Sequence, residues 1–198
     1  MEMTDIGSRF EGMPAWLDSE QEYAASGRDF AVTTRVYGAS LVQDGYISGH
    51  AKAAVMGWDL SQMVCALYLE DAGSFIGLIA PMSVGKINQR SVLPKAIEGM
   101  SRSCAKRYST KDVLPTGMER GTCTPLVYGC DVSTPVKHIL FHDEPALDDT
   151  VVDISLGGRG ELAQRTSAQL RYGDLYSLLV EKFGQGVVRR VDMRVGSS

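Results

Sequence analysis

From Phe30 the chain alternates between two faces, with Phe30, Val32, Thr34 and Val36 on one and Ala31, Thr33, Arg35 and Tyr37 on the other. The period of two and the β-branched residues predict a strand. Gln43-Asp44-Gly45 supplies a turn, with a second short strand expected through Tyr46 and Ile47. Residues 49–70 are rich in Ala, Met and Leu, and Ala54, Met56, Leu60, Met63 and Leu67 recur at helical spacing. A helix with a weak point near Gly57 fits that stretch best, while Val64 to Leu69 also reads as a buried strand. Ser74 to Ala80 is a short apolar run ended by Pro81 and predicts a strand. Residues 81–95, broken by Pro81, Gly85 and Pro94, read as a loop with Val92 and Leu93 as an apolar tip among basic residues. Such a tip suits a membrane interface or a docking partner, or else folds back on the core.

Residues 115–135 carry Pro115, Gly117, Gly121, Pro125, Gly129 and Pro135, so strands there should be short, with Leu126-Val127-Tyr128 the best candidate. Val136 to His142 is a clearer strand, closed by Asp143-Glu144-Pro145, and Thr150 to Leu156 is another, ended by the glycines at 157, 158 and 160. Glu161 to Leu170 begins a helical pattern, Tyr172 to Phe183 is a helix or strand, and Val187 to Val195 is a plausible last strand after the Gly184 and Gly186 turn. Residues 1–28 show no sustained period and read as a flexible arm, extended or disordered, ahead of a globular unit at 29–198. Within the arm, Met13, Trp16 and Leu17 make an apolar knot that suits docking on a neighbouring subunit or packing on its own domain. The sum is an α+β fold: one domain, an antiparallel sheet packed against helices, behind the arm.

The 198 residues, 44% apolar and 22% charged, suffice to bury one core without disulfide or metal staples. No run reaches the roughly 18 apolar residues of a membrane span, and the acidic start lacks the features of a signal peptide. The net charge of -4 argues weakly against a dedicated nucleic-acid binder, but it hides a segregation. Lys86, Arg90, Lys95, Arg102, Lys106, Arg107 and Lys111 face a single anion, Glu98, within one stretch, whereas the first 29 residues hold seven acids and two bases. The basic stretch is either a solvated face or the site of an anionic partner.

Chemistry-bearing motifs are sparse. No GxSxG, HExxH, P-loop or GxGxxG pattern occurs, and His50, His138 and His142 are the whole histidine supply. The glycine-rich 155–161 segment suits a turn and helix start better than an anion-binding nest. Cys123, Cys130, His138 and His142 are the right types for tetrahedral zinc, but six residues separate the cysteines where a knuckle has two to four. Buried cysteines and surface histidines are the favoured reading. Asp143, Glu144, Asp148, Asp149 and Asp153 form an acidic run without the glycine and spacing of a calcium loop, favouring a solvated face.

Three segments, in order, resemble the globular domain of rhabdovirus matrix proteins of the vesiculovirus type: RDFAVTTRV (28–36) followed by AKAAVMGWD (51–59), VKHILFHDEPAL (136–147), and LLVEKFGQGVVRRVD (178–192). The resemblance implies a non-enzymatic structural protein without cofactor or small-molecule substrate. Such a protein would self-associate, bind the viral nucleoprotein in its ribonucleoprotein, and press it to the anionic inner face of the host membrane, in the virion and host cytoplasm. Val92 and Leu93 sit where the family has an apolar loop tip for self-association or membrane contact. The chain departs from the family in its acidic arm and in lacking a Pro-Pro-x-Tyr budding motif. The basic stretch would then replace the arm, each cation near an anionic leaflet contributing about 1 kcal/mol. Another viral capsid subunit, or a small metal-dependent enzyme built on His138, His142 and the cysteines, are the alternatives.

Overall fold

A computed structural model describes residues 3–9, 15, 17–25, 29–108, 118, 122–126 and 136–194. Their strands are β1 (Met3–Arg9), β2 (Leu17–Ala25), β3 (Ala31–Tyr37), β4 (Met63–Asp71), β5 (Ser74–Pro81), β6 (Val136–His142), β7 (Val151–Ser155), β8 (Thr166–Arg171) and β9 (Val188–Val191). They form one sheet in the order β1-β2-β3-β8-β7-β4-β5-β6-β9. β1 to β8 along that order, and the β8–β7 and β4–β5 neighbours, are antiparallel, whereas β4–β7, β5–β6 and β6–β9 are parallel. The expected domain with a sheet packed against helices is thus present, with a sheet of mixed direction at its centre. The stretch read as an arm is extended where it is described: β1 and β2 continue the sheet from β3. An ion pair between Glu20 and Arg35 and one of 3.0 Å from Asp18 to Arg165 hold β2 to the body.

The helices are α1 (Gly49–Met56), α2 (Gln89–Ala96), α3 (Arg102–Ala105), α4 (Gly160–Arg165) and α5 (Tyr172–Phe183). Alternation along the central strands decides which face each covers. Ile139 and Phe141 of β6 join Ile79, Val152, Ile154 and Leu170 beneath Leu175, Leu178 and Leu179 of α5. Leu140, between them in sequence, turns the other way and meets Leu69, Ile76 and Leu78 beneath Val92 and Leu93 of α2, Ile97 just after it and Ala105 of α3. With both faces covered, β5 is buried along its whole length, as parallel-paired central strands usually are.

Three expectations change. The helix expected over 49–70 stops at Gly57, whose left-handed backbone (φ 65°) caps it, and Asp59 and Gln62 form a reciprocal cap on the short turn leading into β4. The alternative reading, a strand over Val64 to Leu69, is the one realised, buried at Val64, Tyr68 and Leu69 and exposed at Cys65 and Leu67. The loop expected at 81–95 contains α2, started by the Asn88 side chain accepting from the Arg90 N–H and carrying Pro94 near its end. Val92 and Leu93 are 4% and 0% exposed, so the exposed apolar tip expected there does not exist; both anchor α2 in the core because α2 amphipathically covers the sheet. The helical pattern over Glu161 to Leu170 likewise splits into α4 and the buried strand β8.

Candidate active site

The deepest polar cluster lies where α1 meets β3, β7 and β8. Lys52 of α1 and Asp153 of β7 are 7% and 2% exposed, and Lys52 Nζ lies 3.5 Å from Asp153 Oδ1. The other carboxylate oxygen accepts hydrogen bonds from the Tyr37 hydroxyl of β3 at 2.9 Å and the Ser167 hydroxyl of β8 at 2.6 Å. Lys52 Nζ also sits 5.0 Å from the centre of the Tyr37 ring. Burial first, and the neighbouring Asp153 charge next, push the Tyr37 hydroxyl far up, so it donates and stays neutral. The sheet order makes this cluster: β3, β8 and β7 are adjacent, so residues 37, 167 and 153 meet although they are far apart in sequence. A buried ion pair of this sort adds little net stability over a well-packed apolar pair, whereas loss of one partner leaves the other charge buried and unpaired.

The pair opens into a cavity of about 250 Å³ whose walls include Met63, Cys65, Met82, Cys123 and Ser155. Gly49 lets α1 approach this wall, because a Cβ there would lie 2.2 Å from Met82 Sδ. The rim carrying Cys123 is fixed on several sides. The Tyr68 hydroxyl donates to the Thr124 carbonyl at 2.7 Å, the Thr122 hydroxyl donates to the Gly158 carbonyl at 2.9 Å, and Lys182 Nζ donates to the Leu126 carbonyl at 2.8 Å. Gly157, at φ +78°, is needed beside it, since a Cβ would meet Thr124 Cγ2 at 2.9 Å. Burial pushes the Cys123 thiol up to about 11, and partial desolvation raises that of Cys65, although Cys65 as a residue is exposed. Both thiols are therefore protonated near neutral pH and are poor nucleophiles. The arrangement offers a held cation, a fixed carboxylate and a small half-apolar chamber, which suits polarising a carbonyl for attack by water better than covalent catalysis.

The residues singled out from sequence fall elsewhere. Met13, Trp16, Lys111 and Cys130 lie outside the described residues. Leu17 is buried at the start of β2, opposite Tyr37. Lys86, Arg90, Lys95, Arg102, Lys106 and Arg107 are all exposed, and Arg107 pairs with Asp71 at 3.6 Å. His142, expected at the surface, is fully buried because it closes β6, and its Nδ1 accepts from the Met193 N–H at 3.1 Å. Burial, and then Arg194, lower its pKa; His138, half-buried on the same strand, is lowered by burial and by Arg189 and Lys137. Among the described residues no three His, Cys, Asp or Glu side chains converge to hold a metal ion. Lys52, Tyr37, Cys65 and Ser167 escaped the sequence reading, and Asp153 was read as one of a solvated acidic run. The available signal was a lone Asp inside the otherwise apolar TVVDISL and a lone Lys inside the apolar AKAAV.

No protein-family model and no curated protein matches the sequence. Among solved structures, the fold is similar to that of a candidate trans-editing enzyme for prolyl tRNA synthetase, with a TM-score of 0.58 and 16% identity over 83% of this chain and 87% of that one. It is equally similar, at a TM-score of 0.58 and 14% identity over 83% and 88% of the chains, to a structure from work on epitope backbone grafting by computational design for presenting linear epitopes on scaffold proteins. At these identities the likeness concerns the fold. Neither structure points to a rhabdovirus matrix protein.

Proposed function

We propose that the protein is a hydrolase of aminoacyl esters, acting in trans on aminoacylated RNA. The observation that carries this reading is the Lys52–Asp153 pair, buried against the sheet yet facing a cavity of about 250 Å³. The similar trans-editing structure supplies the reaction class: editing removes an amino acid from a tRNA by hydrolysing the ester between its carboxyl carbon and a ribose hydroxyl. Hydrolysis of that ester requires water to add to the carbonyl carbon, negative charge to grow on the carbonyl oxygen, and the ribose hydroxyl to leave with a proton. Lys52 is the group we assign to meet the growing charge, since it is paired with Asp153 and lines the cavity. Asp153 is a positioning residue: bonded to Tyr37 and Ser167, it holds Lys52 in place and keeps it from swinging to solvent. The protonated Cys65 and Cys123 thiols form wall, not nucleophile.

The matrix reading is the alternative, and one of its segments, AKAAVMGWD, contains Lys52 itself. Its segments lie on β3 and α1, on β6, and on α5 and β9, where packing accounts for their apolar residues, and that reading gives the buried ion pair no task. The test is release of labelled amino acid from a panel of aminoacyl-tRNAs. At least one member should be deacylated well above the uncatalysed rate; none deacylated by pure, folded protein would end the hydrolase reading.

A further inference from the structure

We infer that the exposed basic surface built by α2, α3 and the turns around them is a docking face for the phosphate backbone of RNA, an inference that builds on the hydrolase reading for its choice of probe. The core anchors dictate its shape. Val92, Leu93, Ile97 and Ala105 all enter one apolar cluster, so the cations interleaved with them in sequence, Arg90, Lys95, Arg102 and Lys106, are turned out together onto the opposite side of the same layer. Lys86 is exposed on the turn that leads into α2. Arg189 of β9 joins this face from the sheet, where its guanidinium donates to the Ala96 carbonyl at 3.1 Å.

These charges are uncompensated. Among the described residues no carboxylate lies within ion-pair distance of Lys86, Arg90, Lys95, Arg102 or Lys106, and only Arg107 is paired, with Asp71 at 3.6 Å. On a chain of net charge -4, such segregation leaves a positive field over one face and not over the molecule, which favours steering a polyanion to one place. The choice of RNA over a membrane follows from what is missing beside the cations. Reversible attachment to a leaflet combines charge with an inserted apolar side chain. The exposed large apolar residues among those described are Tyr46, Leu67, Val151 and Leu162, none of them in the basic segment, whose own apolar residues are turned into the core.

The test measures binding of unfractionated tRNA, and separately of vesicles containing phosphatidylserine, across a KCl series, for the full chain and for the Lys95→Glu/Arg102→Glu/Lys106→Glu variant. All three positions are exposed, so a thermal melt should show the variant folded. The wild type should bind tRNA with an affinity that falls steeply with salt. The variant should lose at least tenfold, with a salt slope shallower by about 2 to 3. Unchanged tRNA binding by the variant, or binding of vesicles in place of tRNA, would overturn the inference. A short aminoacyl nucleotide ester, too small to span from cavity to basic face, separates the two readings. If the wild type leaves that ester intact while tRNA binding and its loss are as described, hydrolysis fails and the docking face stands. If wild type and variant cleave it equally while tRNA binding does not differ, hydrolysis stands and the docking face fails.

Discussion

Replacing Lys52 by Met removes the counter-ion of a carboxylate that is 2% exposed, and the consequence is set by what remains around Asp153. Tyr37 and Ser167 still donate to one carboxylate oxygen, but the oxygen that faced Lys52 at 3.5 Å keeps a buried charge with no cation beside it. Breaking a buried pair on one side costs about 3 to 5 kcal/mol, and the two surviving hydrogen bonds place this case at the lower end, about 3 kcal/mol. For a chain of this length that is a fall in Tm of about 6 to 12 °C. The informative variant is the double one. Adding Asp153→Asn removes the stranded charge, and the amide oxygen still accepts from Tyr37 and Ser167. The Lys52→Met/Asp153→Asn protein should therefore be more stable than Lys52→Met alone, with a coupling energy of about 2 kcal/mol in a cycle measured by urea unfolding at pH 7. Losses that simply add would refute the claim that the two groups form one buried electrostatic unit. Activity should not return in the double variant, because the cation is still gone.

Three further outcomes follow from other parts of the fold. His142 is buried neutral, with burial and then Arg194 lowering its pKa, so the unfolded chain binds its proton more readily; stability should be full above about pH 6.5 and decline as pH falls below that value, and the decline should be shallower in His142→Gln, read from urea midpoints at pH 7.5 and 5.5. Gly157→Ala forces a side chain into the left-handed region and against Thr124, so it should cost about 1 to 2 kcal/mol and lower deacylation together with stability, whereas an unaltered melt would contradict the tight packing of that rim. Cys104, its thiol lowered chiefly by the Ser101 hydroxyl, should alkylate before Cys123, whose thiol is pushed up to about 11; peptide mapping after brief iodoacetamide treatment reads the order, and early labelling of Cys123 would contradict its protonated state.

The strands with a clean period were legible. β3, β6 and β7 appear within a residue or so of where alternation or short β-branched runs place them, and Gly184 ends α5 as the glycine turn suggests. The failures have different physical sources. β4 carries apolar residues on both sides and so loses its period of two, and its Met, Ala and Leu content mimics a helix. α2 was hidden because Gly85 lies just before it and Pro94 inside its last turn, although neither lies where it would prevent the first turns. The basic face was legible as charge, but its shape needed the positions of Val92 and Leu93. The site was least legible, because no local motif contains it. Tyr37 and Asp153 are 116 residues apart and meet only because β8 and β7 are laid beside β3.

The central claim is that Lys52, held by Asp153, supplies the charge stabilisation for ester hydrolysis. Single-turnover deacylation of the best aminoacyl-tRNA by wild type, Lys52→Ala and Lys52→Arg measures it directly, at a temperature where all three are folded. Lys52→Ala should lose about 10² to 10³ in rate, and Lys52→Arg should recover part of it because a cation is again present. Equal rates for wild type and Lys52→Ala would contradict the account.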